Sequence, residues 1–393
     1  MPLTDLWNTA PDQLREKQVS QVIAFAGKGK LRDGGDASSE FRDFLSLVPS
    51  SFLSRYADEC LTTKFEDGGL ALQDVVNQIG RRLGFDVVDG SYRGAAGKIG
   101  FDGIWKSDDG HAIVIEVKTT DAYRIDLDVV AGYRQALIQD GTIRAKDSSI
   151  LIVVGREDTG DLEAQIRGSR HAWDTRLISV ERLTKLIGLK ENLEEPLVVR
   201  KIRDILRPQE FTKVDGIIDI VFATAEDVLL AEVATEDEAP EEDVDERRPK
   251  FTPSAFHEAC IRRIESRVFK SLIRKSRATY ASADGSLAVL CMVSRSHIGT
   301  GRTYYWFAFH PHQRDGLLEH PEGYVGLGCG SENALLLIPI RDFDTWLEGM
   351  NVTQKPDRFY WHVHILHEDD RFLLRRKTGY DRVDLTKYLL PNN

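Results

Sequence analysis

Cysteine is scarce in this chain: Cys60, Cys260, Cys291 and Cys329 are the four present, and none stands in CxxC spacing. This excludes a disulfide framework and a cysteine-built zinc site, and the four read as reduced, mostly buried thiols. Long apolar runs are also missing. The longest are strand-sized, so neither a signal peptide nor a membrane span is expected, and the chain reads as soluble and cytoplasmic with no membrane partner. Histidine is sparse too. The pairs His310/His312 and His362/His364 each share a strand face but have no third ligand at a readable spacing, which argues against a metal site there. Finally, no basic excess is present, because the net charge is −11.

The distribution of charge weakens that last exclusion. Glu232 to Glu246 holds nine acids and no base, whereas residues 251 to 393 hold 19 Lys plus Arg against 16 Asp plus Glu, a net +3. Local basic rims can bind a polyanion whatever the global charge. With 393 residues and 41% hydrophobic content the chain is large enough for two or three cored domains. The acidic, Pro-containing run at 232–250 reads as an extended linker between them.

One stretch organises the rest: Lys98 to Lys118, KIGFDGIWKSDDGHAIVIEVK. It reads as a hairpin, with a strand from Ile99 to Trp105, a polar turn through Asp108, Asp109 and Gly110, and a β-branched strand from Ala112 to Thr119. Alternation sends Ile113, Ile115 and Val117 to one face and Val114, Glu116 and Lys118 to the other. A carboxylate and an ammonium thus share a face at the end of an apolar strand, where burial is costly unless they are paired or ligated. Asp102, between two glycines on the neighbouring strand, is placed to add a second carboxylate. Upstream, Gly69 to Phe85 reads as an amphipathic helix with Leu72, Val75, Val76, Ile79 and Leu83 on its core stripe. Gln73 flanks the stripe and Asp74 points to solvent.

Asp102, thirteen residues, then Glu116-x-Lys118 resembles the PD-(D/E)xK nuclease superfamily of restriction-endonuclease-like fold, most closely its Mrr-like and Holliday-junction-resolvase-like branch. The resemblance covers residues 66 to about 190. It implies Asp102 and Glu116 as ligands for magnesium, with manganese an alternative, and Lys118 as the group that orients or deprotonates the attacking water. The family carries a glutamate eleven residues before the glycine of its helix-ending LGF; here that position is Gln73, the fourth member of the catalytic set, an amide that brings no charge. Downstream, a helix at 126–138, a strand at 149–155, a helix at 161–173, a strand at 176–179 and a helix at 180–187 follow the order of that core, a mixed sheet sandwiched by helices. The implied activity is a magnesium-dependent DNA endonuclease in bacterial restriction or anti-phage defence. The alternative is a catalytically weak nucleic-acid-binding or partner-docking subunit of a defence complex. DNA is the implied partner. A homodimer is expected because one site cuts one strand, and a partner ATPase or helicase fits the docking reading.

Several residues are candidates for DNA contact. Thr119, Thr120 and Tyr123 follow the lysine at the mouth of the site. Tyr133, Arg134 and Gln135 sit on the next helix, where related nucleases place residues near DNA; a helix surface explains them equally. Arg167, Arg170 and His171 are spaced to share a helical face, as a phosphate rim or as ion-paired structure. The remaining segments are a helical region at 1–65, read as a cap on the sheet or as a DNA-positioning or dimerising element, and a helical extension at 191–231. Residues 251–393 are expected to form an α+β domain rich in antiparallel strands, a sheet or barrel. Its helix from Ser254 to Lys275 carries Arg262, Arg263, Arg267, Lys270, Arg274 and Lys275. Beside it, the runs Tyr304 to Phe307 and Phe359 to Trp361 suggest nucleic-acid reading, protein docking or a packed core.

Overall fold

The computed structural model describes residues 3–92, 99–119, 124–155, 159–193, 196–208, 253–299, 302–355 and 358–391. The chain forms two compact units, Met1–Ala223 and Thr224–Asn393. It is mixed α/β, with a strand-rich carboxy-terminal unit. Within the helical extension expected at 191–231, residues 209–231 lie outside the described residues, as does the acidic linker.

The first unit opens with five helices, α1 (Leu3–Thr9), α2 (Asp12–Arg15), α3 (Val19–Phe25), α4 (Asp36–Leu47) and α5 (Ser50–Thr62). Within the helical region expected at 1–65, the segment from Pro11 to Ala26 is not one continuous helix but divides at Glu16 to Gln18. Next come α6 (Gly68–Arg82), β1 (Asp86–Asp89), β2 (Gly103–Lys106) and β3 (Ala112–Lys118). Gly84, at φ +92°, ends α6 in a conformation that a side chain would strain. After β3 the chain alternates α7 (Leu127–Gln139), β4 (Ser148–Val154), α8 (Gly160–Arg167), β5 (Thr175–Ser179), α9 (Val180–Asn192) and α10 (Pro196–Asp204). The five strands make one sheet in the order β1-β2-β3-β4-β5. Its first two pairings are antiparallel and the last two parallel, so α7 and α8 are crossovers between parallel neighbours.

Strand alternation divides the unit's core. Ile113, Ile115, Leu151 and Val153 pack with α6, α9 and the amino-terminal helices. Val114 packs with Leu137 of α7, while Ile150, Ile152 and Val154 pack with Val130 of α7 and Leu162 of α8. The amino-terminal helices therefore share one continuous core with the sheet, which corrects the expectation for Asp74. Because α4 and α5 cover the back of α6, Asp74 is 1% exposed rather than facing solvent. Its carboxylate accepts from Arg42 Nε at 2.8 Å and from the Tyr92 hydroxyl. Burial raises its pKa to about 6 in spite of Arg42 and Tyr92. Helix α10 and the turn that follows it clamp the β2–β3 turn, since Arg203 Nη2 reaches both carboxylate oxygens of Asp108 (3.1 and 3.0 Å) and Arg207 Nη1 donates to Asp109 (2.6 Å).

The second unit begins with α11 (Pro253–Val268) and holds β6 (Leu272–Arg274), β7 (Thr279–Ser282), β8 (Leu287–Ser294), β9 (His297–Gly299) and β10 (Arg302–Phe309). Then follow α12 (Pro311–Leu318), β11 (Glu322–Cys329), β12 (Leu335–Pro339), α13 (Ile340–Asp344), β13 (Asn351–Lys355), β14 (Arg358–Glu368), β15 (Arg371–Arg375) and β16 (Val383–Asp384). The strands form two sheets, β12-β11-β8-β7-β6 and β16-β15-β14-β10-β9, with β13 also paired to β14. The unit is rich in antiparallel strands, as expected, but β8 and β11 run parallel, so the first sheet is mixed. Leu290, Leu327 and Ile338 from one sheet meet Phe307, Phe309, Val363 and Ile365 from the other in a shared core. The helix expected to reach Lys275 stops at Val268, where Phe269 adopts φ +54° and the chain turns into β6.

Candidate active site

Asp102 immediately precedes β2 and is held from three directions through its backbone carbonyl. Gln73 Nε2 donates to it at 3.1 Å, Asn77 Nδ2 at 2.8 Å and the Gly90 N–H at 3.0 Å. Asn77 is itself fixed, because its Oδ1 accepts from Trp105 Nε1 at 3.0 Å in the core. On the other side, the Asp102 N–H donates to the Ile115 carbonyl (3.1 Å) and its Oδ2 accepts from the Val117 N–H (2.6 Å). Asp102 is thereby pinned to β3 at both residues flanking Glu116, by its backbone at Ile115 and by its carboxylate at Val117.

Glu116 is 7% exposed, and Lys118 Nζ lies 2.5 Å from its Oε1, with the Lys118 side chain 39% exposed. The pair expected on one strand face is formed, and the predicted third residue lies next to it. Burial and then the charge of Glu116 push the Asp102 pKa up to about 7, against the pull of the Val117 N–H and Lys118. Lys118 moves upward too. Burial alone would lower its pKa, but the hydrogen bond and charge of Glu116, followed by Asp102 and Tyr133, overcome it. At neutral pH Lys118 is therefore a firm cation.

Without metal, Asp102 contributes stability that is fully present below the ordinary aspartate range and lost as pH rises through about 7. The linked change is on the order of 4 kcal/mol. Asp102→Asn keeps an oxygen for the Val117 N–H and removes the buried charge. Its melting temperature is expected to exceed that of the parent at pH 8 and to fall less steeply than the parent's between pH 5 and 8, the buried Asp74 still titrating in both, which calorimetry would show.

Sequence reasoning placed Gln73 correctly beside Asp102 but missed Asn77, one turn further along α6. The signal was two amides at i and i+4 on the edge of an apolar stripe. It also missed the role of Gln73 as a donor. The resemblance implies that Gln73→Glu, which restores the family's acid, keeps or raises activity, yet it would replace this donor with a carboxylate facing the Asp102 carbonyl. A cost of about 1–3 kcal/mol is expected, with weakened function. Chemical denaturation of the variant would measure the loss, and unchanged stability would refute this role.

The expected DNA contacts fare unevenly. Thr119 is exposed at the end of β3, beside Gly69 of α6. Thr120 and Tyr123 lie outside the described residues. Arg134 is not a rim residue: it donates to Ser148 Oγ (3.0 Å), the Ala145 carbonyl (2.8 Å) and the Ser148 carbonyl (2.9 Å), and pairs with Asp174 at 3.1 Å. It fastens α7 to the start of β4. Arg170 and His171 do not share a helix face with Arg167, because α8 ends at Arg167 and Gly168 caps it. Both instead converge on Asp128 Oδ1, at 2.8 and 2.7 Å. They line an open cleft of about 810 Å³ with Arg124, Asp126 and Gln165, which does not include Asp102, Glu116 or Lys118. Arg167 stays exposed, 4.0 Å from Glu163. In the second unit, Arg263 Nη2 donates to the carbonyls of Leu390 (3.2 Å) and Pro391 (2.9 Å), securing the chain's end to α11. Arg267 is exposed on that helix. The cationic row is shorter than expected, since Lys270 pairs with Asp284 (3.2 Å) and Arg274 donates to the carbonyls of Ser276 and Arg277 (both 3.1 Å).

No protein-family model matches the chain, and no curated protein matches it by sequence. Among the described residues no group of three or more His, Cys, Asp or Glu is arranged to hold a metal, and no helix is long and apolar enough to cross a membrane.

Proposed function

We propose that the chain is a PD-(D/E)xK-type, metal-dependent DNA endonuclease that hydrolyses phosphodiester bonds. The observation that carries this reading is the juxtaposition of Asp102 with the Glu116–Lys118 pair at the end of a buried strand. Two carboxylates crowded enough to hold one carboxyl near neutrality fit a hard dication. Magnesium in particular retains several waters and is held through one or two carboxylates, so a third acidic ligand is not required. Bound there, magnesium or manganese would polarise the phosphodiester and lower the pKa of a coordinated water. Asp102 and Glu116 would hold the ion. Lys118, kept protonated by Glu116, suits charge stabilisation and water orientation better than proton abstraction. The Gln73, Asn77 and Gly90 donors position Asp102 through its backbone. Cutting both strands would require two copies of the chain. The role in bacterial restriction or anti-phage defence rests on the sequence resemblance alone.

A binding or partner-docking role is the second reading. It is favoured by one observation: the Gln73 amide is committed to a backbone carbonyl, so no third charge faces the carboxylates. Plasmid and linear DNA incubated with magnesium, manganese or EDTA decide between them. Metal-dependent nicking is expected. In parallel, magnesium should raise the melting temperature more at pH 8 than at pH 6, where protons compete for Asp102, and the gain should disappear in Asp102→Asn. A melting temperature indifferent to both metals would exclude the enzyme reading.

A further inference from the structure

In the second unit, the outer face of the six-stranded sheet carries a run of rings, with Leu366 and Leu373 beside it. Tyr304 and Trp306 alternate along β10 with the core residues Tyr305 and Phe307, and on β14 Tyr360, His362 and His364 alternate with Trp361 and Val363. The register sets Trp306 opposite His364. The half-buried rings form one continuous array. His297 stacks on Tyr304 at 5.1 Å, Trp306 lies 5.8 Å from His362, Tyr360 is 5.0 Å from His362, and His362 and His364 are nearly parallel at 6.0 Å.

The array is uncharged at neutral pH. Trp306 Nε1 donates to His362 Nδ1 at 3.1 Å, which makes that imidazole an acceptor and therefore neutral. Burial, with His362, Arg375 and His297 adding, holds the pKa of His364 down to about 4. Burial and Arg295 also lower that of His297. Cations flank the rings: Arg375 sits directly across from His364 in the β14–β15 register, and Arg295 stands beside His297. Neither arginine has an ion pair among the described residues.

We infer that this face binds single-stranded nucleic acid, with bases stacked on Tyr304, Trp306 and Tyr360 and phosphates against Arg295 and Arg375. Neutral rings accept any base through its π face, and unpaired guanidiniums complement a phosphate chain. A duplex hides its base faces in its own stack and offers the sheet nothing to stack upon. A second copy of the chain is a poorer occupant, because its sheet would bring a further set of cations against Arg295 and Arg375. The inference does not depend on whether Asp102 and Glu116 support cleavage.

The test uses the full chain in EDTA, so that no strand is cut, with a fluorescein-labelled oligothymidine of about fifteen nucleotides and a duplex of equal length. Anisotropy is expected to favour the single strand, and Trp306→Leu and Tyr360→Leu are each expected to weaken its binding ~10-fold. Arg375→Ala, an exposed change that leaves the rings alone, should reduce the salt slope by about 0.7. Near-UV circular dichroism verifies that the variants remain folded. Wild-type affinity in folded Tyr360→Leu, together with an unchanged salt slope in Arg375→Ala, would overturn the inference. So would loss of self-association without loss of oligonucleotide binding, which would assign the face to a second copy. Metal-dependent cleavage measured on the same preparations reports on the other site separately.

Discussion

Lys118→Met is expected to remain folded and to cleave DNA at least ~10²-fold more slowly than the parent, the scale of losing one well-placed electrostatic stabiliser. Methionine keeps much of the stem's length and removes only the ammonium. The site then loses the cation 2.5 Å from Glu116 Oε1 and the positive charge that acts on Asp102. Two effects follow from that one change. Charge developing on a phosphorane would have no compensation from the protein, and the mostly buried Glu116 would lose its partner. The second effect costs about 1–3 kcal/mol, enough to lower the melting temperature and not enough to unfold a domain of this size. Lys118→Arg should recover little activity, because a planar fork cannot occupy the position of a compact ammonium. Single-turnover cleavage under saturating magnesium is the measurement. Full activity in Lys118→Met would remove this residue from the mechanism and the proposed reaction with it.

Gly90→Ala is expected to be the most destabilising single methyl in the amino-terminal unit, costing about 3 kcal/mol or more. A β-carbon there would sit 1.9 Å from the Phe101 carbonyl oxygen and 2.7 Å from the Asp102 carbonyl carbon. Both are backbone atoms and cannot rotate away. Relief requires β1 to separate from the segment entering β2, which breaks the Gly90 N–H to Asp102 carbonyl bond and frees Asp102 to drift. Magnesium binding should weaken along with stability. Gly132→Ala on α7 is the control, since nothing lies within 4 Å of the added methyl. Placed inside a helix, that change should be neutral or stabilising by up to about 1 kcal/mol. Urea denaturation of the two variants distinguishes a packing requirement from a general intolerance of substitution. Equal stability in both would refute the close approach.

Much of the candidate site was legible because its logic is local. The apolar run Ile113 to Ile115, followed by Glu116 and Lys118, specifies a strand with both charges on one face, and the Asp108–Gly110 turn folds its antiparallel neighbour against it. Gln73 was placed by the family resemblance, and helical spacing agreed in setting it beside the apolar stripe. Arg134 was misjudged for the opposite reason. An arginine on an amphipathic helix looks the same in sequence whether it meets a phosphate or, as here, the Ser148 and Ala145 carbonyls and Asp174. The expected α11 extension failed because Phe269 leaves the helical region, a choice made by the pairing of β6 with β7 and not by propensity.

By itself, then, the sequence determined what depends on periodicity: the helix of α6, four of the five strands of the first sheet, β1 being the one it missed, the shared face of Glu116 and Lys118, and the alternation of core and outward rings on β10 and β14. Tertiary structure decided what depends on the far side of each element. Asp74 is buried because α4 and α5 cover the back of α6, Gln73 is a donor because the Asp102 carbonyl happens to meet it, and β8 runs parallel to β11 within an otherwise antiparallel sheet. Spacing along a chain sets which way a side chain points. Only packing between segments far apart in sequence sets what it meets, since that depends on energies summed over partners the local pattern does not contain.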